Sequence, residues 1–408
     1  MTVRALNVRS NDLTRTDDIN KWQADLGERT RAAVDVAQRF AARVDNTGTF
    51  PAESVAQLRT QRLLGILVPR ALGGEGASLA DIVDVCYSLG QACSSTALIY
   101  AMHQIKMGCL VRHSQGNAAV ESILHRVATD QLLFASSTTE GNAGGNIRSS
   151  EAAIVHEGRE VTLERAATVI SYGAEADGIV TTARRTAEVA PSNQVLLVLL
   201  KADYTLEKIQ AWDTLGMRGT ISEGFTLKAR ASADQILADT YEKIHTQTMV
   251  PFAHLTWGAV WMGIATAATA KAQAFIRHAL RKSHDGTPPP GAAHYIEAVS
   301  SLRTLKSVLA SSLRSYEAIM TDEKALTSLE FHSQITLTKV QASELAAATV
   351  MSALRTCGLS GYRNDSEFSI GRHLRDVLSA PLMISNDRIL SNLSTASLMM
   401  ALPVSISD

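Results

Sequence analysis

Between Met249 and Ala270 the chain carries no lysine, arginine, aspartate or glutamate. A run of this length forms either a membrane span or a helix enclosed by protein on every side. Pro251, His254, Thr256, Thr266 and Thr269 interrupt it, and no aromatic belt or basic flank marks its ends. An enclosed helix is therefore expected, which requires a large helical bundle around it. The chain is big enough: of 408 residues, 46% are hydrophobic and 19% charged. At about 150 residues per domain this suggests two or three domains.

Helical spacing dominates both ends. In Asp25–Arg43, Leu26, Ala33, Val34, Ala37, Phe40 and Ala41 fall on one face. Pro51 opens a second helix, where a missing N–H costs nothing. Ser78 is placed to cap a helix running to Cys93, with Asp81 in its first turn,. Another helical run extends from Ser94 to His113. The period then changes. Short apolar runs at 132–137, 152–155, 160–163, 168–171, 179–182 and 194–200 read as strands,. From Val250 the helical period returns, broken once at Gly286–Gly291. The expected fold class is α+β, mainly α: a flexible segment over 1–24, an N-terminal helical domain over 25–130, a central β-domain over 131–246 and a C-terminal four-helix bundle over 247–408.

The net charge of −1 provides no basic stripe for nucleic acid,. Cys86, Cys93, Cys109 and Cys357 form no CxxC pair and show no metal-ligand spacing with histidine, so buried thiols in a reducing cytoplasm are expected and no metal site,. No apolar signal core follows Met1.

Several motifs recur in a fixed order. Leu64–Pro69 leads into Leu72-Gly73-Gly74-Glu75-Gly76. A strand end, Ser137-Thr138-Thr139, runs into Glu140-Gly141-Asn142-Ala143-Gly144-Gly145-Asn146. Val169-Ile170-Ser171-Tyr172 follows, then Leu215-Gly216-Met217-Arg218-Gly219-Thr220. The bundle carries Arg281, Arg355-Thr356-Cys357-Gly358-Leu359-Ser360-Gly361-Tyr362 and Arg375-Asp376. In this order the motifs resemble the acyl-CoA dehydrogenase family over about residues 25–395. The resemblance implies that fold and a non-covalent flavin, FAD ahead of FMN. It places Ser137, Thr138, Thr139, Gly144 and Gly145 beside the flavin, and Ile170 and Ser171 near its N5 and O4. It gives Arg218 to the same site, and Arg281, with Lys282 a competing candidate, Arg355, Gly358 and Leu359 to the pyrophosphate and adenine of FAD across a subunit boundary. A homodimer or homotetramer is implied, with an acyl-thioester or related small molecule as substrate. An electron-acceptor protein or oxygen would take the electrons.

Departures from the family pattern bear on the chemistry. Gly145 stands where the family has serine, Val169 where tryptophan is common, and Leu359 where glycine is usual. Dehydrogenation needs a base to remove the proton α to the thioester carbonyl. In many relatives this is a glutamate about nine residues after the conserved arginine; counting from Arg375 reaches Ile384. The second position used by relatives falls in Pro251–Leu255, again without a carboxylate. Asp387 and His254 remain as candidate bases, with Asn386 as a polar neighbour. Each has a structural role open to it: Asp387 pairing with Arg388 or capping a helix, His254 as a core histidine. His103 stands either at the pocket border or on a helix surface. The leading expectation is an FAD-dependent oxidoreductase acting on an acyl-thioester. The alternative is a monooxygenase or oxidase of the same fold using reduced flavin and oxygen. A catalytically silent flavin-binding protein is a third reading, and the retained flavin-facing hydroxyls argue against it.

Overall fold

The computed structural model describes residues 16–140, 147–284 and 286–398. Helices α1 (Thr16–Thr47), α2 (Ala52–Thr60), α3 (Leu79–Ala92), α4 (Ser94–His113) and α5 (Ala118–Asp130) come first. The first helix thus begins at Thr16, ahead of the Asp25 start read from the sequence. The expected cap of α3 is present as a reciprocal box. Ser78 Oγ accepts the Asp81 N–H and the Asp81 carboxylate accepts the Ser78 N–H,.

Among the described residues seven strands follow: β1 (Phe134–Ser137), β2 (Val155–Glu157), β3 (Glu160–Ser171), β4 (Gly178–Arg184), β5 (Gln194–Leu200), β6 (Tyr204–Gln210) and β7 (Ser222–Ser232). They form two sheets, ordered β1-β4-β5 and β2-β3-β7-β6. The runs at 160–163 and 168–171 are one strand rather than two. A bulge between Ala167 and Ile170 interrupts the pairing of β3 with β7, re-aiming its last residues.

The chain then turns through α6 (Tyr241–Ile244) and a π turn (His245–Met249) into α7 (Val250–Lys282). Next come α8 (Ala292–Ile319), α9 (Glu323–Leu326), α10 (Leu329–Cys357), α11 (Leu359–Tyr362), α12 (Gly371–Val377) and α13 (Asn386–Ser397). α7 packs against α3, α4, α8 and α10, which accounts for its charge-free stretch: every residue from Pro251 to Trp261 is buried. α3 and α7 cross at glycines. A Cβ on Gly90 would lie 2.6 Å from the Val260 carbonyl oxygen, and one on Gly263 would lie 2.5 Å from that of Tyr87. Among the described residues no helix is long and apolar enough to cross a membrane. All four cysteines are free and buried.

Candidate active site

A cavity of about 670 Å³ opens where the β-domain meets the helices. Helix α4 forms one wall. It is buried almost all round, and Leu98, Met102, Ile105 and Lys106 make a single stripe along it facing the cavity,. His103, on a different face, is neither at the pocket border nor on the surface. The Phe134 N–H donates to its Nδ1 (3.0 Å), so Nε2 carries the proton and donates to the Leu64 carbonyl (2.9 Å). The ring ties α4 to β1, and burial lowers its pKa to about 4.

The end of β1 forms the next wall. Side chains alternate along a strand, so Ser136 and Thr138 face the cavity, joined by Thr139. Ser137 points the other way and is fully buried. Its carbonyl accepts from the Thr181 hydroxyl at 2.9 Å. The sequence placed Ser137 beside the flavin; its side chain is turned away from the cavity. Glu140 also leaves the cavity, holding Ser150 Oγ (2.9 Å) and the Glu151 N–H (2.6 Å), with Arg165 at 3.4 Å. Gly144 and Gly145 lie outside the described residues.

The third wall is a chain of hydroxyls. Ser171 and Ser222 are paired across β3 and β7, with their oxygens 2.7 Å apart. Ser222 Oγ lies 2.8 Å from Thr220 Oγ1, and the Thr220 hydroxyl donates to the Met217 carbonyl at 2.9 Å. A carbonyl only accepts and each hydroxyl has one proton. The direction is therefore fixed: Ser171 donates to Ser222, Ser222 to Thr220, Thr220 to Met217. Ser171 is left facing the cavity as an acceptor. Ile170 is fully buried behind it; of the two residues expected near N5 and O4, only Ser171 lines the cavity.

The turn beneath this chain is strained. Met217 and Ile221 both have left-handed backbones, at φ 53° and 43°, a costly geometry that clusters at functional sites. The Met217 N–H donates to the buried Asp376 carboxylate at 2.7 Å. Gly216 is required because a Cβ there would meet the Arg375 carbonyl oxygen at 2.1 Å. The Gly-Met-Arg motif thus docks the β-domain on α12. Arg218 lies beside Gly48 and outside the cavity lining, whereas Trp212 lines it and donates from Nε1 to the Met217 carbonyl (3.2 Å).

The two places where relatives carry a base both open on this cavity. One is Ile384, the other Ala253-His254. Among the described lining residues there is no aspartate or glutamate. Asp387 is exposed in the first turn of α13 and outside the lining, so this candidate base does not reach the cavity. Asn386 is also outside the lining, because its amide is occupied. Its Oδ1 accepts from Lys339 Nζ (2.7 Å), and its Nδ2 donates to Ser343 Oγ (3.0 Å) and Glu344 Oε1 (2.7 Å). Lys339 donates as well to the Ile384 carbonyl (2.7 Å), holding Ile384 in a left-handed backbone at φ 53°. Asn386 is therefore a lock on the segment that carries Ile384.

His254 does line the cavity. Its Nδ1–H donates to the Ile335 carbonyl at 2.9 Å, which leaves the Nε2 lone pair as its reactive end. Burial lowers its pKa to about 4, so the ring is neutral near pH 7. Two ionisable cavity residues, Lys106 and His245, were not singled out from the sequence. Lys106 is 3% exposed. His245 sits in the π turn, its pKa held near 3 by burial and the neighbouring Arg148. The π turn has a cause in the sequence. Pro251 has no N–H for the Gln247 carbonyl four residues back, and the Tyr316 hydroxyl donates to that carbonyl instead (2.9 Å). The signal for Lys106 was a cation in the middle of a buried helix, well ahead of the basic residues Arg112 and His113 in its last turn.

Arg281, Arg355, Gly358 and Leu359 are exposed and away from the cavity. Leu359 is 73% exposed on a four-residue helix. Among the described residues no group of histidine, cysteine or carboxylate side chains is placed to hold a metal. The hydroxyl wall of Ser136, Thr138, Thr139 and Ser171, with the Trp212 ring beside it, fits the polar edge of a flat heterocycle such as a flavin.

Comparison with known proteins points the same way. The acyl-CoA dehydrogenase N-terminal domain family matches residues 23–129, and the acyl-CoA dehydrogenase C-terminal domain family matches residues 255–383. The probable acyl-CoA dehydrogenase YngJ of Bacillus subtilis is 24% identical, over 82% of this chain and 87% of its own. The L-evernosamine nitrososynthase of a Micromonospora species is 25% identical, over 84% and 82%. The FMN-bound structure of TdsC from Paenibacillus sp. A11-2 superposes with a TM-score of 0.79, at 16% identity, covering 92% of this chain and 98% of that one.

Proposed function

Because the chain belongs to the acyl-CoA dehydrogenase family and is a flavin-dependent oxidoreductase, we propose that it is an oxygenase using reduced flavin and oxygen on a small organic substrate. The observation that carries this reading is the carboxylate-free cavity: both base positions of the fold open on it, and they hold Ile384 and the neutral His254. Oxygen insertion needs no α-proton base. The flavin, when bound, supplies the two-electron chemistry.

The residues of this chain do the rest. Thr138 and Thr139 offer hydroxyls to the pyrimidine edge of the ring. Ser171, fixed as an acceptor, takes an N–H; a reduced flavin presents one at N5, where an oxidised flavin presents a lone pair. The polarity of the hydroxyl chain thus supports use of reduced flavin. His254 Nε2 accepts a hydrogen bond from substrate and orients it, while the apolar walls of α4 and α7 keep water away. Related structures solved as a dibenzothiophene monooxygenase and a nitrososynthase support an oxygen-using member of this fold.

The second reading is FAD-dependent dehydrogenation of an acyl-thioester with His254 as base, favoured by that same unpaired Nε2 and by the YngJ relative. We assign the exposed Arg281, Arg355, Gly358 and Leu359 to a second copy of the chain in a homodimer or homotetramer. Two measurements separate the readings. Anaerobic acyl-CoA thioesters that bleach the oxidised flavin band would establish dehydrogenation and end the oxygenase proposal. Incorporation of one ¹⁸O atom from labelled oxygen into product, with no anaerobic bleaching, is the expected result.

A further inference from the structure

Lys106 stands in the cavity wall without an anion. It is 3% exposed, and among the described residues its one hydrogen-bond partner is the Met249 thioether at 3.6 Å, a weak acceptor. No carboxylate occurs among the described lining residues, and the nearest acidic influence on Lys106 is the buried Cys109 thiol one turn along α4. That thiol is itself pushed up to about 11 and so is neutral. An ammonium held in apolar surroundings is costly unless something of opposite charge joins it. The surrounding surface says what that something is. Met102 and Ile105 precede Lys106 on the same stripe, and Met249 closes over it. Thioethers make favourable contacts with aromatic rings. The other polar group at this end is His245, whose ring is neutral and able to donate one N–H. Lys106 supplies a full positive charge and His245, beside Arg148, a neutral donor; together they suit the two oxygens of a carboxylate.

We propose that the cavity recognises a small aromatic carboxylate, with its carboxylate on Lys106 Nζ and its ring against Met102 and Met249. This deepens the reading above: it rests on the cavity being the substrate site, and not on which oxidation occurs there. Lys106 is a specificity-determining residue that selects an anionic substrate and fixes its orientation relative to Ser171 and His254.

The test is calorimetric titration of the full chain, flavin-free and FMN-loaded, with benzoate and with its neutral analogue benzamide. Benzoate is expected to bind at least about tenfold more tightly than benzamide, as a charge-assisted hydrogen bond requires. Lys106→Met should remove that tenfold while leaving benzamide unchanged, and Lys106→Gln, checked for folding by circular dichroism, should do the same. The proposal falls if benzoate binds no better than benzamide, if neither binds, or if the variants bind benzoate as wild type does. It falls equally if they lose affinity for FMN instead, since the ammonium would then serve the flavin. None of these outcomes bears on the ¹⁸O measurement, so the oxygenase reading stands or fails separately.

Discussion

The Ser171 hydroxyl lies 2.7 Å from that of Ser222, and because Ser222 must donate onward to Thr220, Ser171 can only give its proton to Ser222. An internal hydroxyl chain thereby sets what the cavity can receive. Replacing Ser222 with alanine releases the Ser171 proton toward the cavity. Oxidised flavin should then bind more tightly relative to reduced flavin, by about fivefold for one hydrogen bond of ~1 kcal/mol. Titration of Ser222→Ala with FMN in both redox forms measures the ratio. An unchanged ratio would mean that Ser171 does not meet N5.

The two neighbours Asn386 and Asp387 should behave oppositely. Asn386→Ala strands the buried Lys339 ammonium and the Ile384 carbonyl segment, and should destabilise the protein by about 2–3 kcal/mol. Asp387→Asn is an exposed change and should alter kcat/KM by less than about twofold. Urea unfolding and steady-state assays check the pair. A large loss of turnover in Asp387→Asn would return it to the catalytic site.

Four of the five buried histidines, joined by His113 with the same direction of shift, make the fold acid-sensitive. His103 and His254 are held near 4, His245 and His373 near 3, all chiefly by burial. Their folded values lie below the unfolded value of about 6.5. Above pH 6.5 both states are neutral and stability is full. As pH falls from 6.5 toward 4, the unfolded chain takes up protons that the folded chain refuses, and stability is lost. Each histidine contributes a slope approaching about 1.4 kcal/mol per pH unit. The urea midpoint should therefore fall steeply between pH 6.5 and 5, and His254→Gln should flatten the fall.

Binding at Lys106 should fade in the opposite direction of pH. Burial lowers its pKa to about 8, so the ammonium is present below that pH and lost above it. Benzoate affinity should be level from pH 6 to 7.5 and drop toward the benzamide value by pH 9.5. Since removing an uncompensated buried charge relieves its desolvation cost, Lys106→Met should also raise the Tm of the ligand-free protein. A lower Tm would mean that Lys106 has a structural partner.

Much of this architecture could be read in advance. The charge-free run became α7, Ser78 caps α3 as its spacing implied, and β5 falls on the expected Gln194–Leu200. β6 was hidden because it is an edge strand whose residues after Tyr204 are mostly exposed, leaving no alternation to see,. β7 did alternate, with Phe225, Leu227, Ala229 and Ala231 inward, but its small residues and Gly224 weakened the pattern. At the site, motif order located Thr138, Thr139, Ser171 and His254 on one cavity. Linear sequence could not tell that Asn386 would be saturated by Lys339, Ser343 and Glu344, because those contacts come from a helix more than forty residues away. Nor could it tell which face of α4 Lys106 would occupy.

The π turn has a geometric effect beyond accommodating Pro251. His245 and His254 are nine positions apart. On an uninterrupted α-helix, at about 100° per residue, they would point in opposite directions. The wider turn at His245–Met249 slows that rotation,, and both imidazoles line the same cavity. The phase of the long helix is thus retuned at its entrance. Deleting one residue from the turn would leave the two rings eight positions apart, about 80° on a regular spiral, and so still on the same side.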